Sequence, residues 1–158
     1  MCLVRYLNWA SPVGTTLAWP DLHRRACHEA AQSWSSYTEA GVRLVLGEWS
    51  LATNHDAPLD LRDEATVDEL RQLFREQLEV FTTTDGVVGS FFWTLRMGSG
   101  WDPRPSGDAP HGTQAAGTDA WRSRDGYPFQ VWSLLEMARV GVVTRLDADV
   151  RGACADQR

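Results

Sequence analysis

The sequence predicts an α/β fold built from parallel β/α units, and two observations carry that expectation. Short apolar runs alternate with longer helical patterns in the order strand, helix, strand, helix, strand, long loop, helix. The segment Val42 to Leu46 is almost continuously aliphatic, as suits a strand covered on both faces of a parallel sheet.

The first apolar run, Leu3 to Trp9, reads as a strand closed by the turn-rich Ser11-Pro12-Val13-Gly14. Pro20-Asp21 then opens a helix in which Leu22, Ala26, Ala30, Trp34 and Tyr37 recur at helical spacing, and Gly41 stops it. After the strand at Val42 to Leu46, Gly47-Glu48-Trp49-Ser50 ends the run and a polar loop passes through Asn54, His55 and Asp56. Thr66-Val67-Asp68-Glu69 has the pattern of a capping box, and Val67, Leu70, Leu73, Phe74, Leu78 and Phe81 fall on one stripe of the helix that follows.

Asp85-Gly86 breaks that helix, and Val87 to Leu95 reads as another buried strand. From Gly98 to Gly126 the chain is rich in Gly, Pro, Ser and Asp and forms a long loop, either a binding loop or a disordered one. A final helix is expected from Phe129 to Val140 with Val131, Leu134, Leu135 and Ala138 on its inner face. Residues 144–158 are expected to be a frayed or disordered tail behind a single domain of residues 1–143.

Composition narrows the function classes. The chain has 158 residues, 43% of them hydrophobic, enough for one domain with a core of its own. Its net charge is -6, Lys is absent and no Arg cluster gathers on one segment, which argues against nucleic acid or an anionic membrane as partner. No run approaches the ~18 apolar residues of a membrane span, and no signal-peptide pattern opens the chain, so the sequence leaves localisation unassigned. Eight Trp are an excess, of the kind found where rings stack on flat apolar faces such as sugars. Cys2, Cys27 and Cys154 lack the spacing of a zinc or redox motif, and three cysteines cannot all pair internally.

Glu48 is the leading candidate for chemistry, because it follows a buried strand at the end where parallel β/α folds place their active sites. The competing reading is a solvated loop carboxylate, against which the neighbouring Trp49 argues. His23 and His28, at i and i+5, do not share a helix face, so a metal role is not expected of them. His55 and Asp56 are as readily solvated loop residues as pocket-lining ones, and Trp101 and Trp121 either rim a cleft or dock the long loop.

The segment Leu46-Gly47-Glu48-Trp49-Ser50-Leu51-Ala52-Thr53 resembles the nucleophile strand of the exo-β-1,3-glucanase type in glycoside hydrolase family 5. Gly89-Ser90-Phe91-Phe92-Trp93-Thr94 resembles that family's eighth strand, and Trp132-Ser133 with Gly141-Val142-Val143 its closing segment. The resemblance implies the C-terminal part of a (β/α)8 TIM barrel, about strand six to helix eight, spanning most of residues 3–143; a full barrel takes about 250 residues.

It further implies Glu48 as nucleophile, Tyr6 as the residue orienting it, and Trp93 with Trp49 as substrate-binding surfaces. A β-glucan or glucoside is the implied substrate, hydrolysed at terminal β-glucosyl residues with retention. No metal or organic cofactor is implied, and the implied location is extracellular or the cell wall.

Two departures stand beside it. Val4 occupies the position of the family's His in a His-x-Tyr pair, and the Asn-Glu-Pro that carries the family's acid/base is absent from this sequence. Retaining glycosidases work with two carboxyl groups about 5 to 5.5 Å apart. The alternative reading is accordingly an inactive barrel fragment or carbohydrate-binding remnant. Three strands of a larger sheet would also leave open edges, so self-association is expected.

Overall fold

The computed structural model describes residues 2–4, 16–53, 55, 59–95, 131, 133–144 and 150–157, with residues 2–4 and 29–33 described in backbone only. Among the described residues three strands, β1 (Cys2–Val4), β2 (Leu44–Trp49) and β3 (Val87–Phe92), form a parallel sheet in the order β1-β2-β3. Helix α1 (Trp19–Glu39) connects the first pair and α2 (Glu64–Thr83) the second; a short α3 (Leu134–Arg139) follows β3. Parallel neighbours need such crossovers, because a tight turn cannot return the chain to the same end of the sheet. The long loop expected over residues 98–126 lies outside the described residues.

Helix α1 begins where the proline predicts, with Pro20 in its first turn, where the missing N–H costs nothing, and ends before Gly41 at φ 75°. Leu22, Ala26 and Trp34 are buried as the spacing requires, whereas Tyr37 is exposed. Helix α2 starts two residues before the expected box. Its N-cap is Asp63, whose carboxylate accepts from the Thr66 N–H at 3.0 Å and the Thr66 hydroxyl at 2.8 Å. Those bonds to Thr66 hold the Asp63 carboxyl below its ordinary range.

The core lies between the sheet and the α1–α2 layer. Leu44, Leu46 and Trp49 come from β2, Leu22, Ala26 and Trp34 from α1, and Leu70, Leu73, Phe74 and Phe81 from α2. The expected stripe of α2 is present, with Leu78 only partly buried at its margin.

Four expectations need correction. Strand β2 ends at Trp49, so Glu48 belongs to the strand and not to the loop after it. Strand β3 is not buried on both faces: among the described residues it is paired on one side only, with Val88, Phe91, Trp93 and Leu95 exposed on or just after it. In α3, Ser133 is the N-cap, Met137 is buried and Leu134 partly so, while Leu135 and Ala138 face outward. Val131 is buried as expected, but Ser133 stands outside the helix as its cap, so the helical register runs from Leu134 and brings Met137 inward in place of Leu135 and Ala138.

The fourth correction concerns the tail. Val150, Ala153 and Cys154 are buried, Ala155–Gln157 forms a 3-10 turn, and Cys154 is joined to Cys27 of α1 by a disulfide spanning 127 residues. The carboxylate of Glu79 accepts the N–H groups of Gly152 at 2.8 Å and Cys154 at 2.6 Å. A covalent bond and charge-assisted hydrogen bonds thus hold a segment whose composition reads as frayed.

Candidate functional site

Glu48 owes its placement to a bulge in β2. Against β1, Leu3 pairs with Leu46 but Val4 pairs with Glu48; against β3, Leu46 pairs with Ser90 and Trp49 with Phe92. Both ladders count one extra residue in β2 between Leu46 and Trp49. In a regular strand residues 44, 46 and 48 share a face, which would send the Glu48 side chain into the apolar layer under α2. The extra residue shifts the alternation, so Trp49 takes the core position and Glu48 is only partly buried.

Trp49 is therefore a core residue, 3% exposed, and the substrate-binding role expected of it is corrected accordingly. Its ring meets Phe81 and Phe92 edge-on at 5.0 and 4.9 Å, with Phe74 tilted against it at 5.5 Å. Its indole Nε1 is buried with no hydrogen-bond partner among the described residues.

Trp93 follows β3 at the same end of the sheet. Its backbone N–H donates to the Trp49 carbonyl at 2.7 Å, carrying the β2–β3 ladder one step past the last strand pair, and its side chain is 49% exposed. The Trp93–Thr94 peptide is cis. Glu48, near the end of β2, and Trp93, the residue after β3, thus stand at the C-terminal ends of adjacent parallel strands, one a carboxylate and one a half-open Trp. Val4 is the backbone partner of Glu48 on the other side. Tyr6, Asp56, Trp101, Trp121 and Trp132 lie outside the described residues.

The loops at this end are tied together. Leu17, before α1, bridges to His55, after β2, in a parallel pair. The Trp19 ring lies 4.3 Å from the His55 ring and 5.9 Å from that of His23.

His23 leads into a cluster that sequence spacing did not reveal. Its Nδ1 lies 2.7 Å from Glu76 Oε2 and its Nε2 2.8 Å from Glu69 Oε2, while Gln72 Nε2 donates to Glu76 Oε1 at 3.0 Å. His23 is buried and Glu76 fully so. Burial alone would pull the His23 pKa down; the hydrogen bonds and charges of Glu76 and Glu69 outweigh it, and the net shift is upward. An imidazolium that donates from both nitrogens fits this geometry. The available signal was the i, i+3, i+7 spacing of Glu69, Gln72 and Glu76 on α2, a polar row beside the apolar stripe.

Among the described residues no group of three His, Cys, Asp or Glu side chains is arranged to hold a metal ion, and no helix is long and apolar enough to cross a membrane. Comparison with known proteins brings no match: no family model, no curated protein and no solved structure aligns significantly with the chain.

Proposed function

We propose that the chain carries part of a retaining β-glucoside hydrolase site, with Glu48 as the nucleophile and Trp93 as the apolar floor for a glucosyl ring. The observation that carries this reading is the pairing just described: a carboxylate and an exposed indole on adjacent parallel strands, at the strand ends where β/α folds put their ligands. The bulge that keeps Glu48 out of the core adds support, since bulges commonly re-aim a side chain beside an active site. The three parallel strands with their helical crossovers are compatible with the further proposal that they belong to a (β/α)8 barrel of the glycoside hydrolase family 5 type.

In this reading the Glu48 carboxylate attacks the anomeric carbon of a terminal β-glucosyl unit. The leaving oxygen takes a proton from a second carboxyl group, and water then releases the sugar with retention. Tyr6 is proposed to orient Glu48. The second carboxyl is the unassigned part, because the Asn-Glu-Pro expected to supply it is absent from the sequence.

That absence favours a second reading, binding of a β-glucan without turnover. One experiment separates the two: the wild type, Glu48→Gln and Trp93→Ala are assayed for hydrolysis of 4-nitrophenyl β-glucoside and for binding and hydrolysis of laminarin. The hydrolase reading expects turnover that Glu48→Gln removes. Binding lost in Trp93→Ala, with no turnover in any form, selects the second reading. Turnover that survives Glu48→Gln overturns the nucleophile assignment, and neither binding nor hydrolysis overturns both readings.

A further inference from the structure

The segment Val150–Gln157 is held on α1 and α2 largely by polar groups and one covalent bond. It adds little to the core, with Val150, Ala153 and Cys154 as its buried apolar residues, and of these Cys154 alone joins the main cluster. Glu79, on α2, accepts the N–H groups of Gly152 and Cys154, and Gln72 donates to the Ala153 carbonyl at 2.8 Å while also donating to Glu76. His28 of α1 meets the Gln157 carbonyl. Gly152 has φ 84°, a conformation that favours glycine, and it helps turn the two amides toward one carboxylate. The covalent attachment to the helices is Cys27–Cys154.

We propose that this disulfide is a redox latch: it fastens Val150–Gln157 to the two helices, and its reduction releases that segment while the sheet and its helices stay folded. The selectivity follows from where the apolar contacts are. Leu44, Leu46, Trp49, Leu70, Leu73 and Phe74 belong to a cluster supplied mainly by the sheet, α1 and α2, to which the C-terminal segment contributes Cys154. Without the covalent tie, the segment must order its backbone and the Glu79 and Gln72 side chains against hydrogen bonds that water can replace.

The chemistry is a two-electron exchange with a dithiol reductant. A thiolate of the reductant attacks one sulfur, the other cysteine leaves as a thiolate and takes up a proton, and the second thiol of the reductant resolves the mixed disulfide. Two cysteine thiols and one oxidised reductant result. The latch is closed in an oxidising compartment and open in a reducing one.

Amide hydrogen exchange tests this on the full chain, oxidised, treated with dithiothreitol, and as Cys154→Ser. The expected result is a loss of protection at the amides of positions 152 and 154 of about tenfold or more, with Leu46 and Phe92 unchanged. Glu79→Gln, oxidised, is expected to lose less protection there than the reduced wild type. Unchanged protection at Gly152 after reduction overturns the proposal, since Glu79 then suffices. Parallel loss at Leu46 and Phe92, or a Cys154→Ser chain that does not fold, overturns it too, because the disulfide is then a staple of the whole domain. Two alkylatable thiols at Cys27 and Cys154 in the untreated, air-purified protein also overturn it.

Discussion

Trp49 and Trp93 are joined by one backbone hydrogen bond of 2.7 Å, yet their indoles face opposite environments, 3% and 49% exposed. The first closes the core and the second stands open at the strand ends. One bond therefore links a residue of the core to a residue of the candidate site.

Trp49→Ala is expected to cost about 3 to 5 kcal/mol, the range for emptying an aromatic site in a packed core. Trp49→Phe should cost about 1 to 2 kcal/mol, because it keeps a ring against Phe74, Phe81 and Phe92 and gives up an Nε1 that has no partner among the described residues. Urea unfolding checks both. A Phe variant as damaging as Ala would show that the Nε1 group matters more than the packing.

The pair of His23 and Glu76 joins α1 to α2 in the buried layer, and removing Glu76 takes away the fully buried carboxylate and leaves the imidazole with the partly exposed Glu69. Glu76→Ala is expected to destabilise by about 1.5 to 3 kcal/mol, the range for losing a buried hydrogen bond to a charged group. The double variant His23→Leu with Glu76→Leu should cost clearly less than the sum of the two single variants. Additive losses in a thermal or chemical unfolding cycle would contradict a direct coupling.

The same pair sets a pH dependence with a definite sign. The His23 pKa in the folded chain is raised above its ordinary 6.5, so the folded state holds this proton more tightly than the unfolded state does. Its contribution to stability is fully present below pH 6.5 and is lost as pH rises through the folded value. His23→Gln should flatten that part of the stability profile. A wild-type contribution that grows with pH across the same window would reverse the assignment.

Gly86 turns α2 into β3 at φ 82°, and a Cβ there would lie 2.7 Å from Thr38 Cγ2 of α1. Gly86→Ala is expected to destabilise by about 2 kcal/mol or more, from the left-handed backbone and the contact together. Adding Thr38→Ser removes Cγ2 while keeping a hydroxyl for the Ser35 carbonyl, so it should recover part of the loss and leave the backbone term. Full recovery in a thermal melt would assign the whole effect to the contact.

The primary structure alone determined the order of the elements and most of the buried stripe of α2. Pro20 and Gly41 mark the ends of α1, and the run from Val67 to Phe81 has a period no strand can use, so local physics decides them. The candidate pair was legible to the same extent: Glu48 and Trp93 each stand at the end of an apolar run, and strand ends are visible in sequence.

What the tertiary structure decided is every relation that depends on a shift of one residue or on partners distant in the chain. The bulge at Gly47–Glu48 exchanges the faces of Glu48 and Trp49, and it becomes visible only in the register of β2 against its two neighbours. Cys27 finds Cys154 across 127 residues, and His23 finds Glu76, because α1, α2 and the C-terminal segment pack together. Local periodicity reports which residues turn inward; which of them meet is settled by packing, since contact energies become available only once the elements are side by side.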